Sequence, residues 1–191
     1  MEDIDRFNEE ILAGNKIYVK KSHHHCESEE AKKHAIIITC MDARIVVTEL
    51  IHLKPDQVYV LRNGGGRVTE DMVRSAALAI RLFAVDIVCI IHHTDCGLEK
   101  VNDLEVRQLL RENLGPSHLH DHEVQKHNRD KYHHSDYVAF LAFENLEKSV
   151  VNDVGILREN PLISKKIGIL GYVLDIKTGK LTLVAKSPGK Q

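Results

Sequence analysis

The 191-residue chain has no long hydrophobic run and no strong excess of charge of either sign. Its apolar runs, such as "AIIITC", are far shorter than the roughly 20 residues that a membrane-spanning helix needs. Its formal net charge is -2, whereas nucleic-acid binding usually needs a concentrated positive surface. The sequence therefore predicts neither a membrane nor a nucleic acid as the main partner.

The chain also lacks the features of a secretory signal and of a disulfide framework. Its first residues, "MEDIDRFNEEILAG", are acidic and amphipathic, without a basic segment followed by an apolar one. We therefore expect a cytoplasmic location. The four cysteines, Cys26, Cys40, Cys89 and Cys96, include no C-x-x-C pair. In a reducing compartment they are expected to serve as metal ligands, catalytic groups or core residues.

No internal repeat or low-complexity linker divides the chain, and its length suits one well-cored domain. We expect a single domain over residues 1–191. Residues 1–34 are predicted to form an N-terminal helical arm. Residues 114–136, rich in histidine and poor in aliphatic side chains, are predicted to form a surface excursion.

Short apolar runs alternate with amphipathic segments along most of the sequence. This alternation predicts strands at 35–40, 57–63 and 86–94, with helices at 45–53 and 70–85 between them. Two later helices are predicted at 98–114 and 137–160, followed by two strands within 166–184 that a turn at 177–179 joins. The order is typical of an α/β fold, with a mostly parallel central sheet flanked by helices and an antiparallel edge strand at the C-terminus.

Candidate metal ligands stand at the ends of two predicted strands. Cys40 ends the first strand, and His93 and Cys96 lie at the end of the third. The carboxyl ends of neighbouring parallel strands meet at one edge of a sheet, where sites form. Two thiolates and one imidazole suit Zn²⁺, and three protein ligands leave one position open, as in catalytic zinc sites.

Asp42 and Arg44 follow Cys40 on the same short segment. Asp42 has two possible tasks: to accept a hydrogen bond from water on the metal, or to bind the metal as a fourth ligand and close the site. A bidentate pair with Arg44 would hold the carboxylate off the metal and fix its direction.

Three segments, "CMDAR" (40–44), "RNGGGRVTEDMVRSAALAI" (62–80) and "HHTDCG" (92–97), resemble the signature segments of the β-class carbonic anhydrases. The resemblance implies that Cys40, His93 and Cys96 bind zinc and that Asp42 and Arg44 form a catalytic dyad. It also implies a mostly parallel sheet in an obligate homodimer, with the active site at the subunit boundary.

The function that the resemblance implies is the reversible hydration of carbon dioxide to bicarbonate by zinc-bound hydroxide, the activity of a carbonate dehydratase. Hydrolases of carbonyl sulfide or carbon disulfide share this scaffold and these motifs, so they form the alternative. A third hypothesis is a zinc-stabilised dimer without catalysis, in which Asp42 would be a permanent fourth ligand.

The glycine loop "GGGR" departs from the family pattern, in which Ala is common at the position of Gly64; Ala43 also stands where Ser is common. A glycine loop between strand and helix is compatible with phosphate binding, but the loop lacks the residues of a P-loop or a dinucleotide site. The favoured interpretation is that the loop lies close to the metal pocket, where a Cβ would not fit.

Position along the chain alone indicates the roles of five further side chains. His92 alternates with His93 along the strand and should face the other way, in a structural role. Cys89 is expected in the core. Asp95 is expected either to accept a hydrogen bond behind the ligands or to cap the following helix. Arg62 and Arg67 are expected either to pair with acids in a dimer interface or to be solvated.

Two groups of histidines remain. Those at 23–25, together with Cys26, either form an adventitious metal site or lie in a solvated loop, which is the favoured interpretation. Those between 118 and 134 either shuttle protons or bind a second metal, and a solvated surface segment is again favoured.

Overall fold

The computed structural model describes residues 2–21, 35–53, 57–114, 136 and 138–189. The histidines at 23–25, Cys26 and most of the histidine-rich stretch 114–136 lie outside the described residues, so the predictions made for them stay predictions.

A five-stranded sheet forms the centre of the described structure, with the strand order β2-β1-β3-β4-β5. The strands are β1 (Ala35–Cys40), β2 (Tyr59–Asn63), β3 (Ile87–His93), β4 (Gly168–Leu174) and β5 (Leu181–Ser187). The first four strands in this order pair in parallel, and β4 pairs with β5 in antiparallel fashion. The α/β fold predicted from the sequence, with its antiparallel edge strand, is confirmed.

The described residues form five α-helices. They are α1 (Glu2–Lys21), α2 (Val47–Leu50), α3 (Glu70–Leu82), α4 (Asp103–Leu114) and α5 (Leu146–Glu159). Single 3₁₀ turns at Gly64–Gly66 and Gly97–Glu99 follow β2 and β3. No helix among the described residues is both long enough and apolar enough to cross a membrane.

The side chains of β1 alternate between two apolar clusters, one on each face of the sheet, and every residue of the strand is buried. Ile36 and Ile38 pack with α3 and α5 side chains such as Ala76 and Leu157. Ile37 belongs to the opposite cluster, which includes residues of α2 and the end of β4. This two-sided burial explains why β1 is a continuous apolar run.

Helix α5 begins later than the apolar pattern predicted. Residues 138–145 are not helical, and Asn145 caps α5 by accepting a hydrogen bond from the Lys148 amide at 2.8 Å. The carboxylate of Asp103 accepts hydrogen bonds from the amides of Phe140 and Ala142 at 3.1 and 3.0 Å. In these long-range bonds the backbone amides donate to a side chain, whereas in a helix they would donate to backbone carbonyl oxygens of the preceding turn.

Candidate metal centre

The three candidate ligands meet at the carboxyl edge of the sheet. Cys40 is the last residue of β1, His93 is the last residue of β3, and Cys96 follows after a tight turn. Their ligand atoms all lie within 4.8 Å of one another, and all three residues are buried. The structure therefore brings together the residues that the sequence singled out.

The orientation of the His93 ring leaves one nitrogen available for a metal. Its Nδ1 lies 2.9 Å from the Thr94 carbonyl oxygen, which only accepts, so Nδ1 is the protonated nitrogen. Its Nε2 is buried without a hydrogen-bond partner among the described residues. Buried polar atoms are rarely left in this state. A lone pair beside two sulfur atoms fits the donor set that Zn²⁺ prefers.

The two thiols interact directly with each other. The pKa of Cys40 is lowered to about 4, chiefly by a hydrogen bond from Cys96 and also by His93 and the backbone amides of Asp42 and Gly65, against the effect of burial. The pKa of Cys96 rises because its proton is held by Cys40. One thiolate thus forms readily, and binding of a divalent metal would release the proton of the second.

Asp42 and Arg44 form the bidentate pair that the sequence predicted. Arg44 donates from Nε to Asp42 Oδ1 at 3.0 Å and from Nη2 to Oδ2 at 2.7 Å, and its backbone amide donates to Oδ1 at 2.9 Å. These bonds hold the pKa of the Asp42 carboxyl well below its usual range. Asp42 Oδ2 lies 3.8 Å from His93 Nε2. The carboxylate therefore borders the ligand pocket while Arg44 holds it.

Arg62 fixes the backbone of the same segment. It is exposed, and it donates from Nε to the Cys40 carbonyl at 3.0 Å and from Nη2 to the Asp42 carbonyl at 2.6 Å. Sequence reasoning expected either an acidic partner or solvation and missed these backbone contacts. No local pattern indicates them, since they cross between β2 and the segment after β1.

Gly66 brings the loop after β2 against the backbone of β1. Its φ is +69°, and a Cβ there would lie 2.7 Å from the Cys40 amide nitrogen. The predicted close approach is confirmed at this residue. Gly64 differs, because a Cβ there would meet only Leu98 Cδ1, at 3.9 Å. The family's common alanine would therefore fit at Gly64.

Comparison with known proteins decides the family. A family model described as carbonic anhydrase matches residues 35–181, which include all three candidate ligands. β-Carbonic anhydrase 1 of Mycobacterium tuberculosis is 30% identical over 152 residues, with 80% of this chain and 82% of that protein covered. The chain belongs to the β-carbonic anhydrase family.

Other relatives of this β-carbonic anhydrase family member differ in their named activity. A carbon disulfide hydrolase of Acidianus sp. is also 30% identical, over 151 residues, with 76% of this chain and 74% of that protein covered. The crystal structure of carbonic anhydrase from Streptococcus mutans has a TM-score of 0.77 at 28% identity, covering 94% of this chain and 98% of that one. These similarities support an enzyme of the carbonic anhydrase type.

A buried polar network lies behind the centre. Arg67 donates from Nε and Nη2 to the two carboxylate oxygens of Asp153, each at 2.9 Å. The amide of Val68 and the ring of His92 also contact this carboxylate, at 3.0 and 3.2 Å. Burial raises the pKa of Asp153, but the hydrogen bonds from His92 and Arg67 outweigh it and lower the pKa overall.

The network settles two assignments made from position. His92 faces away from the ligand pocket, with its Nδ1 2.7 Å from Ser149 Oγ, as the alternation along β3 predicted. Arg67 is buried within the chain rather than solvated or in an interface. Sequence reasoning missed Ser149 and Asp153, although their i, i+4 spacing on α5 places two polar groups on one helix face.

Asp95 accepts hydrogen bonds from Arg44 and Lys100, and not from a candidate ligand, as one of its two predicted roles required. Its Oδ2 lies 2.9 Å from Arg44 Nη1, and its Oδ1 accepts from Lys100. It does not cap the following turn, whose capping position is Cys96. Lys100 and Arg44 lower the pKa of Asp95 to about 2. Lys100 was missed, because an exposed lysine gives no signal of its own.

Cys89 is half-buried and packs against the apolar cluster that contains Ile37. Burial raises the pKa of its thiol to about 11, as expected for a packing residue.

Arg44 lines one wall of an open cleft of about 330 Å³. Its walls are mainly aliphatic, and they come from the segment after Arg44, from α2 and from the end of β4: Ile45, Val46, Leu50, Leu174 and Ile176. Glu49 is the acidic residue among them. None of the three candidate ligands belongs to the lining of this cleft.

Proposed function

We propose that the protein catalyses the reversible hydration of carbon dioxide to bicarbonate, with zinc held by Cys40, His93 and Cys96. The observation that supports this most directly is the cluster of three buried ligand atoms within 4.8 Å. It includes an unsatisfied imidazole nitrogen and lies beside a carboxylate that an arginine holds.

Zinc in this position would act as a Lewis acid that lowers the pKa of water towards neutrality. Asp42 would accept a hydrogen bond from the attacking water and turn its lone pair towards the carbon of the substrate. Arg44 would fix the direction of Asp42 through its two parallel hydrogen bonds. The proton released would pass to buffer.

The decisive experiment is stopped-flow hydration of carbon dioxide by zinc-quantified protein between about pH 7 and pH 9, a range around the titration of activated water. The Asp42→Ala variant should retain zinc and lose activity by about 10²-fold or more. The matched control is Asp71→Ala, an exposed acid at the start of α3 that pairs with Arg74. Equal activity in all three proteins would contradict the role of Asp42.

Hydrolysis of carbonyl sulfide or carbon disulfide is the second candidate. The observation that favours it is that relatives called carbon disulfide hydrolase and β-carbonic anhydrase 1 are equally identical to this chain, at 30%. Sulfide release from these substrates, measured on the same preparations, decides between the two. Fast sulfide release with slow carbon dioxide hydration would replace the first proposal by the second.

A protein with full zinc and no turnover of any of these substrates would instead support the third hypothesis, a zinc-stabilised dimer. In that case Asp42 should be a fixed fourth ligand. The 3.8 Å between Asp42 Oδ2 and His93 Nε2 makes such a closed state reachable by a small side-chain movement.

We further propose a homodimer in which α1 packs against the second copy. Seven apolar side chains of this helix are each more than half exposed: Ile4, Phe7, Ile11, Leu12, Ile17, Tyr18 and Val19. Four of them, Ile4, Phe7, Ile11 and Tyr18, share one helix face by their spacing, and an exposed apolar face of this kind usually marks an interface. Acids prevail in the first half of α1 and lysines in the second, so two antiparallel copies would match in charge.

Analytical ultracentrifugation of the full chain tests this assembly. The native protein should sediment as a dimer or larger homo-oligomer at micromolar concentration, and the double variant Phe7→Glu, Ile11→Glu should be a monomer or a smaller oligomer than the native protein. Ala13→Glu, which introduces the same charge on the opposite side of the helix from Phe7 and Ile11, is the control and should leave the assembly unchanged. A monomeric native protein would contradict the proposal. The cytoplasmic location and the single domain over 1–191 stay predictions from the sequence.

A further inference from the structure

Asp95 lies between two of the proposed ligands, yet its side chain contacts Arg44 rather than the ligand pocket. Its Oδ2 accepts from Arg44 Nη1 at 2.9 Å, and its backbone carbonyl accepts from Arg44 Nη2 at 3.2 Å. On its other side the same guanidinium binds Asp42 through Nε and Nη2. Two acids therefore hold all three nitrogens of Arg44.

The backbone at Asp95 makes this double contact possible. Its φ is +60°, in the left-handed region that aspartate and asparagine tolerate better than most residues. This turn directs both the carbonyl and the carboxylate of one residue at the same guanidinium.

Lys100 completes the arrangement by binding the other carboxylate oxygen of Asp95. Asp42, Arg44, Asp95 and Lys100 thus form a row of alternating charges whose sum is zero. The row is partly exposed, with 49% of the Arg44 side chain accessible to solvent. A half-exposed arginine with one partner would be free to rotate. The second partner, Asp95, therefore restricts the rotation of the Arg44 side chain.

We propose that Asp95 is a positioning residue, which holds Arg44 in the orientation that keeps the Asp42 carboxylate off the metal. The inference rests on the function proposed above and deepens it. Asp42 Oδ2 is 3.8 Å from His93 Nε2, so a carboxylate released by Arg44 needs only a small movement to become a fourth ligand. Loss of Asp95 therefore favours the closed state of the site over the open one.

The test uses the full chain loaded with Co²⁺, whose visible absorption reports coordination, and measures the affinity for azide, an anion that needs the open position. Asp95→Gly keeps the left-handed backbone and removes the carboxylate, and it should weaken azide binding by about tenfold. Asp95→Asn should lie between this variant and the native protein, because its amide oxygen still accepts from Arg44. Asp71→Asn, which has the same charge change on α3, should bind azide like the native protein.

A double-variant comparison separates positioning from general damage. In the Asp42→Ala background there is no carboxylate to move onto the metal. Azide affinity should then be the same whether residue 95 is aspartate or glycine. Lys100→Met, which removes only the outer support, should weaken azide binding by about twofold in the native background.

Azide affinity unchanged by Asp95→Gly, or weakened equally in the Asp42→Ala background, would overturn the proposal. If Asp95→Gly does not fold, native affinity in both Asp95→Asn and Lys100→Met would overturn it instead. A native protein that takes up no Co²⁺ contradicts the metal site and this inference with it. The expected azide pattern without turnover of any substrate contradicts the proposed function alone and supports the role of Asp95.

Discussion

The protein contains two acid–arginine pairs of similar geometry in very different surroundings. In the pair at the candidate site, 49% of the Arg44 side chain and 19% of the Asp42 side chain are exposed. In the pair behind the site, the corresponding values are 9% for Arg67 and 1% for Asp153. The arginine-to-carboxylate distances are nearly the same, from 2.7 to 3.0 Å.

Burial decides what each pair contributes. An exposed ion pair contributes little to stability because water solvates both partners when it opens. Asp42 can therefore move at low cost, which suits a group that guides a reaction. A buried pair cannot open without leaving an unpaired charge in the interior. Arg67 and Asp153 consequently fix the position of the loop and of β3 rather than take part in chemistry.

The largest expected effect comes from breaking the buried pair. Asp153→Ala should lower the free energy of unfolding by about 3–5 kcal/mol, because Arg67 and His92 lose their shared carboxylate. Equilibrium unfolding in urea at fixed zinc concentration measures this. Asp71→Ala, at an exposed pair, is the control and should leave the midpoint unchanged. Equal midpoints for Asp153→Ala and the native protein would show that the interior pair has no such role.

Breaking the exposed pair from the arginine side should affect activity and not stability. Arg44→Gln is expected to reduce carbon dioxide hydration by about 10–100-fold, since the direction of Asp42 is lost. Its unfolding midpoint should match that of the native protein. Arg74→Gln, on α3, is the matched control for both measurements. A stability loss as large as that of Asp153→Ala would remove the distinction between the two pairs.

Gly66 lies where the two regions meet, because its carbonyl is 3.2 Å from His92 Nε2 and its Cα borders the backbone at Cys40. Gly66→Ala should lower the free energy of unfolding by about 1–3 kcal/mol through backbone strain, and it should weaken zinc binding as well. Gly64→Ala, two residues earlier, should change stability by less than about 0.5 kcal/mol. Thermal unfolding and zinc titration measure the stability and the zinc affinity of both variants. Equal stability and equal zinc affinity in the two would contradict the close approach at Gly66.

The smallest effect is the pH dependence of the buried pair. The folded pKa of Asp153 lies below its ordinary value of 3.8, so its contribution is complete above that value and is lost as pH falls through the folded pKa. The difference in free energy of unfolding between the native protein and Asp153→Asn should be constant from about pH 6 to pH 8 and shrink below about pH 4. The same comparison for Asp42→Asn should show a smaller difference that also shrinks on acidification, because the pKa of Asp42 is lowered too but water solvates its exposed pair with Arg44. If this difference in free energy of unfolding between the native protein and Asp153→Asn grew as the pH fell, the predicted sign would be wrong.

The sequence predicted the sheet and the ligand cluster well, and the reason is local. Residues 35–40 form a short β-branched run, and both ends of β1 agree with the prediction. The rule that parallel strands meet at their carboxyl ends then places Cys40 beside His93 and Cys96 without any knowledge of distances.

The parts that sequence reasoning missed depend on distant partners. The stretch before Leu146 has a helical apolar pattern, but the carboxylate of Asp103 binds its amides from 37 and 39 residues away. Arg67 finds Asp153 across 86 residues. No pattern in a short stretch of sequence indicates such pairs, because their two partners come together only when the chain folds.

The position of β3 in the sheet has a consequence for exchange of backbone amide protons with solvent. This strand, which ends at His93, has β1 on one side and β4 on the other, and every residue from Ile87 to His93 pairs with β4. Its amides are therefore expected to exchange with deuterium only when the whole sheet opens. The scaffold of the candidate metal centre should thus be among the last parts of the molecule to take up label, whereas the segment of Asp42 and Arg44 lies beyond the end of β1 and outside the strand pairing.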